Sequence, residues 1–475
     1  MRMRMRMTRG ARSLVLAAAL ASPAALLAGS AGAQPAPPRP APLPQQAQAP
    51  LPPPPPRAPA PRGATVIAIV GATVHTGTGE ILEDGVVILE GDLVKQVGKG
   101  IAPPAGATVI PARGAVVTPG LVDALTSVGV VEISQEDRAR DDQQGDKDRI
   151  HAAFRVAEGY NPASSVIRVT RAEGVTSVGV APRGGLISGQ SAWADLDGAT
   201  AAEAIAASPL ALHVHLGAGA DPGGGGSAAA LLRVREAFDE ARAFARARAA
   251  WERNQSRPFA LSRLDLDALA ATLGRRQPVV FHVDRASDIL AALTLAKDLD
   301  LRPVIAGGAE AWRVTGALAA ARAPVVLFPL SPGPTSFDAL GTRPDNAARL
   351  HAAGVRIALS TGEGHNARRL RQAAGNAVRA GLPHAAAVAA VTSGPAEALG
   401  MAARYGVLAP GKVANLVVWS GDPLELGTSV LRLVVRGREV PLESRQTALL
   451  ARYRRAPGAA PRAPAAGKPG RLGGR

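Results

Sequence analysis

Eight histidines and no cysteine set the chemistry open to this chain of 475 residues. Without a thiol, a disulfide scaffold, a Cys-ligated zinc, an iron–sulfur cluster and a thiol nucleophile are all excluded. Imidazoles and carboxylates remain. His213-Val-His215 stands inside the apolar run from Leu210 to Gly217. Alternate residues of a strand share a face, so both rings could chelate one ion. His282, in Pro278-Val-Val-Phe-His-Val, would complete a three-histidine set, the protein share of a catalytic zinc site. The other reading of the same spacing is a group of hydrogen-bonded core or strand-end histidines. Glu363 and His365, in Ser360-Thr-Gly-Glu-Gly-His, are a second pair able to move protons. Glu310, two residues before Trp312, could meet a cationic group or serve as a helix-start carboxylate. Asp284 and Arg285 read as a salt-bridged rim. Gly184-Gly-Leu-Ile-Ser-Gly-Gln lacks the Lys-Ser/Thr ending of a phosphate loop and reads as a turn between strands.

The elements that must position these groups come in two textures. Thr65-Val-Ile-Ala-Ile-Val, Gly71-Ala-Thr-Val-His75 and the run from Gly85 to Val94 are short β segments with Gly turns, and Ala414–Trp419 and Val430–Gly437 repeat that texture near the other end. Between them, short apolar runs alternate with Ala-rich helical stretches. Those runs begin at Gly174, Pro278, Arg302, Pro324 and Gly354. Strand–helix alternation on this scale predicts an α/β fold, a TIM-like (β/α)8 barrel whose reactive residues stand at the C-terminal ends of its strands. A long helix is predicted over about 228–254, with Leu231, Val234, Phe238, Ala241 and Ala245 on one stripe.

Thr118-Pro-Gly-Leu-Val-Asp-Ala124 is the most specific phrase in the chain. With Gly308-Ala-Glu-Ala-Trp312, Ser360-Thr-Gly-Glu-Gly-His-Asn-Ala-Arg368 and Leu408-Ala-Pro-Gly-Lys-Val-Ala-Asn-Leu, it resembles the amidohydrolase superfamily, near the imidazolonepropionase-like metal-dependent hydrolases. The resemblance covers about residues 65–440. It implies a barrel over 118–404 and a small β-sandwich composite domain built from 63–117 and 405–443. It also implies hydrolysis of non-peptide carbon–nitrogen bonds by a divalent metal. The metal would be held by His-x-His after strand 1, histidines after strands 5 and 6, and Asp after strand 8. Here the matching positions are Leu125, Ser127, His282, Gly307 and Gly362. Only His282 can ligate. The expectation is therefore a catalytically degenerate barrel with no cofactor. Zinc or another divalent metal enters only if the site is relocated to His213, His215 and His282. The alternative function is a noncatalytic ligand-binding or envelope-interaction protein, with a small molecule in the barrel mouth.

The formal charge of +16 does not point to nucleic acid. Residues 1–62 hold eight basic residues and no acid, and residues 452–475 hold seven and no acid. The body between them is nearly neutral, so no basic groove is expected on it. Residues 1–33 read as a signal peptide: Arg2 to Arg12, an apolar run from Leu14, and Ala31-Gly-Ala33 as cleavage site. Export to the periplasm or beyond follows, with no transmembrane domain in the mature chain. Residues 34–62, with 14 prolines in 29 positions, read as an extended linker. Residues 452–475 read as a disordered basic tail able to touch anionic envelope surfaces. Oligomeric state is left open by the sequence.

Overall fold

The structure is a computed structural model that describes residues 65–144, 149–217, 226–330 and 333–454. The expected signal peptide, Pro-rich linker and the tail beyond Arg454 lie outside the described residues. Among the described residues, no helix is long and apolar enough to cross a membrane.

Strands β1 (Val66–His75), β2 (Ile81–Glu90), β3 (Leu93–Lys99), β4 (Thr108–Pro111) and β5 (Val116–Pro119) open the body. They are rich in Val and Ile, whose branched side chains suit a half-buried pleated surface. The ring of the barrel follows, with β6 (Leu121–Thr126), β7 (Val175–Val180), β8 (Ile187–Gln190), β9 (Ala192–Asp195), the side strand β10 (Ile205–Ala207), β11 (Leu212–His215), β12 (Pro278–Val283), β13 (Arg302–Gly307), β14 (Val325–Leu327) and β15 (Ile357–Leu359). Then β16 (Leu416–Trp419), β17 (Val430–Val435) and β18 (Arg438–Glu439) return to pair with the first five in one eight-stranded sheet, ordered β18-β17-β16-β5-β1-β2-β3 with β4 beside β1. The composite β domain is thus one connected sheet drawn from both ends of the body.

The barrel departs from strict parallel alternation at one place. β8 and β9 are separated only by Ser191 and together run antiparallel to both neighbours, β11 on one side and β7 on the other. This reversed segment follows β7 after a tight Gly184-Gly185 turn, where no helix intervenes to bring the chain back. From β11 to β15 the pairing is parallel. Among the described residues no backbone ladder joins β6 to β15. Side chains stitch that seam: the Leu125 amide donates to Ser360 Oγ at 3.1 Å, Ser360 Oγ donates to Asp123, and the Thr361 amide and hydroxyl donate to Asp123 at 3.2 and 2.5 Å.

Period-two alternation decides which side chains face the barrel axis. In β12, Val279, Phe281 and Val283 join the large cluster under the helices, while Val280 joins the inner cluster. In β11, Leu212 and Val214 face the helices and Ala211 faces inward. His213, His215 and His282 fall on the inward parity. The outer layer is carried by α1 (Ser165–Arg171), α2 (Ala201–Ala204), α3 (Ser227–Glu252), α4 (Arg263–Thr272), α5 (Ala286–Asp298), α6 (Thr315–Ala321), α7 (Asn346–Ala352), α8 (Leu370–Arg379), α9 (His384–Ala390) and α10 (Ser393–Ala398). The expected stripe of the long helix needs one correction: Ala245 is exposed, and Phe244 is the buried residue that meets Trp251 and Phe259 edge-on. The tail boundary also moves, because α11 (Arg445–Tyr453) continues through Arg452.

Candidate functional site at the barrel mouth

The three histidines converge. His213 and His215 stand on β11, the fourth strand of the ring, and His282 pairs in register with His215 across the β11–β12 ladder. Their rings stack 4.1 Å apart at 11°. His213 lies one layer deeper, wholly buried, and its Nδ1 is 2.9 Å from His282 Nε2. His215 Nε2 is 3.1 Å from Ser188 Oγ. His213 Nε2 is buried without a hydrogen-bond partner among the described residues. Burial pushes all three imidazoles toward the neutral form: His213 falls to about 3, His215 to about 4, and His282 well below its ordinary value. Desolvation is the main cause. The Arg183 charge adds to it at His215, and the neighbouring His215, His213 and Arg183 add to it at His282.

Around this trio the structure places the other positions of the family pattern. Leu125 and Ser127 are buried at the end of β6. Gly307 ends β13 with φ +92°, and a Cβ there would lie 2.7 Å from Asp284 Oδ1 and 3.2 Å from the Val283 carbonyl. That carboxylate oxygen accepts the Ala309 amide at 3.1 Å, so the corner is built around Asp284. Gly362 has φ +73°, and its Cβ would meet the Phe328 ring at 3.2 Å. Both positions hold backbone that only glycine takes without strain.

Two adjoining hollows share His215, His282 and Phe328. The smaller, of about 390 Å³, is lined by Leu125, Thr126, Ala181, Pro182, Arg183, Thr361, Gly362 and Glu363 besides the shared three. The larger, of about 1300 Å³, extends past Gly307, Asp284, Asp338 and Asn376. Arg183 reaches across the smaller hollow, where its Nη2 donates to the Gly362 carbonyl. Thus Leu125, His215, His282, Gly362 and Glu363 meet at one pocket, while Gly307 borders only the larger hollow and Ser127 borders neither.

Glu310 takes the helix-start role, His365 stands away from the mouth, and the Asp284–Arg285 pair does not form. Glu310 is committed elsewhere: its Oε2 accepts the Ala286 amide at 3.0 Å at the start of α5, and Arg313 lies 3.6 Å from Oε1. His365 is exposed in the turn before the next helix and lines neither hollow. Asp284 does not pair with Arg285, which bridges Asp288 at 3.0 Å and Asp338 at 3.2 Å instead. Glu363 does reach the small pocket, but its Oε2 is held by Asn366 Nδ2 at 2.5 Å. Two residues escaped sequence reading. Arg183 stands just past Ala181 and Pro182 after β7, near where strand-end chemistry would be sought. Asp123 sits two residues before Leu125, fully buried, and burial pushes its carboxyl up to about 7 against the donors that hold it.

The donor set does not fit a divalent metal of the family's kind. His213 Nδ1 and His282 Nε2 face each other as hydrogen-bond partners, and His215 is bonded to Ser188. Among the described residues, no three His, Asp or Glu side chains are arranged to hold a metal ion. The four other family positions carry no imidazole or carboxylate, and the Arg183 guanidinium is bonded to one of them, Gly362.

Barrel strands in two sheets linked through β8 and β9, with a composite sheet from both chain ends, give an amidohydrolase-type architecture. Comparisons agree. The sequence model described as "Amidohydrolase family" matches residues 317–440. An amidohydrolase of known structure from Thermotoga maritima MSB8 superposes with TM-score 0.72 at 26% identity, covering 79% of this chain and 99% of that one. Molinate hydrolase superposes with TM-score 0.50 at 17% identity, over 80% of this chain and 95% of that one, a likeness of fold alone. The amidohydrolase tasK of Hapsidospora irregularis is 44% identical over 57 residues, which is 12% of this chain and spans only 6% of that protein. Residues 317–440 thus match the amidohydrolase family, and the described chain has the fold of a solved amidohydrolase.

Proposed function

We propose that this protein is an exported, catalytically degenerate amidohydrolase whose barrel mouth binds a small organic molecule. One observation carries the proposal. At the positions where the family holds its metal, this chain has an apolar side chain, a hydroxyl and two left-handed glycines, whose missing side chains leave room already taken by Asp284 and Phe328. What remains is a walled pocket with an apolar floor and neutral imidazoles, a form suited to binding. Carbon–nitrogen hydrolysis, the activity implied by family, is the rival reading. The convergence of His213, His215 and His282 is the specific feature that favours it.

The two readings separate in one experiment. The purified mature protein is incubated with zinc or manganese and given a panel of amides and cyclic ureas, while a thermal-shift screen scores binding of small organic molecules. Stabilising ligands without metal-dependent turnover are expected, and Leu125→Trp should abolish their effect by filling the pocket. Metal-dependent turnover that disappears in His282→Ala would overturn the proposal. Export rests on residues 1–33 and is checked by fractionation of cells expressing the full chain. Contact of residues 452–475 with anionic envelope surfaces is a separate proposal, supported by their seven basic residues without an acid. Equal liposome binding with and without that tail would remove it.

A further inference from the structure

We infer that the barrel mouth is selective for an organic carboxylate, with Arg183 as the residue that receives the acid group and the Leu125–Phe328 wall as the surface for an apolar or aromatic body. This rests on the binding reading above and adds the chemical class of the ligand.

Arg183 is the one cation among the residues that line the small pocket, and Glu363 the one acid. The guanidinium is anchored by the Gly362 carbonyl through a single N–H. A guanidinium carries five N–H donors in a planar fork that matches a carboxylate. Its other donors have no partner among the described residues, so a carboxylate can take two of them side by side. The acid that would repel such a ligand is turned aside, since Glu363 Oε2 is bonded to Asn366. Leu125, Ala181, Pro182 and Phe328 complete the lining with apolar surface. Because the larger hollow opens past the same His215, His282 and Phe328, a body longer than the small pocket has somewhere to extend.

The test is calorimetric titration of the mature protein with benzoate and phenylacetate, and with benzamide and phenylacetamide as neutral isosteres. Each acid should bind at least about tenfold tighter than its amide, the ratio expected for a charge-assisted contact over a neutral one. Arg183→Gln should erase that ratio. Arg183→Lys should keep part of it, because charge remains and the fork is lost. Glu363→Gln should tighten the acids alone. Circular dichroism confirms that each variant is folded. Equal binding of acid and amide, or a ratio that survives Arg183→Gln, overturns the carboxylate assignment. If acids and amides bind alike and Leu125→Trp abolishes both, the pocket stands while the assignment falls. If none of the four binds, both fall.

Discussion

Gly307→His puts back the imidazole that the family would place after its sixth strand, and the structure predicts that it damages the protein instead of restoring a ligand. Residue 307 sits at φ +92°, and a non-glycine residue in that region costs about 1–2 kcal/mol. The new Cβ would also stand 2.7 Å from Asp284 Oδ1. Asp284 must move, and the Ala309 amide it accepts would be left without that partner, at about 1–3 kcal/mol. Together these give about 2–5 kcal/mol, a large share of the stability of an ordinary domain. The control is Gly354→Ala, at φ +73° with nothing within 4 Å. It should lose only the backbone part. Guanidinium denaturation at 25 °C reads both variants through their midpoints. Gly307→Ala combined with Asp284→Ala should cost less than the sum of the two single changes, since both disturb the same contact. A Gly307→His protein as stable as wild type that also takes up zinc would refute the reasoning.

Asp123 gives a pH prediction. Its folded pKa, raised to about 7 by burial, means that the protonated form is favoured on folding. The stability tied to that proton is complete below about pH 4 and is lost as pH rises through 7, by about 4 kcal/mol in all. Asp123→Asn should flatten this slope in urea melts taken from pH 4 to 8, and an unchanged slope would contradict it. His213 and His215 act in the opposite direction, with folded pKa values lowered to about 3 and about 4. The unfolded chain takes up those protons first, so stability falls as pH drops below about 6.5, and His213→Gln should make that acid limb shallower. Glu310→Ala removes the acceptor of the Ala286 amide at the head of α5. It should lower stability by about 0.5–2 kcal/mol and leave ligand affinity in the barrel mouth unchanged.

The alternation of apolar runs with Ala-rich stretches made the barrel legible, and His213, His215 and His282 were found because they punctuate such runs at strand ends. Their meeting was not readable from spacing, since it depends on the register that sets His215 opposite His282. The reversed β8–β9 segment was also hidden. Its residues have strand texture, and direction is decided by the short turn before them. Arg183 was overlooked because a lone arginine after a strand resembles any surface arginine until Gly362 is brought opposite it. Glu310 holds the second of its two sequence readings, since the Ala286 amide at the start of α5 claims its carboxylate. Nor could the sequence tell that the two glycines at family ligand positions are left-handed, with Asp284 and Phe328 in the room a side chain would need.

Elemental analysis after zinc loading tests the central claim most directly. The mature protein is incubated with excess zinc, exchanged into metal-free buffer and measured by inductively coupled plasma mass spectrometry against its own concentration. A barrel mouth rebuilt around Asp284, Phe328 and Arg183 predicts zinc far below one ion per chain. One tightly held zinc per chain, lost in both His213→Ala and His282→Ala, would contradict that account.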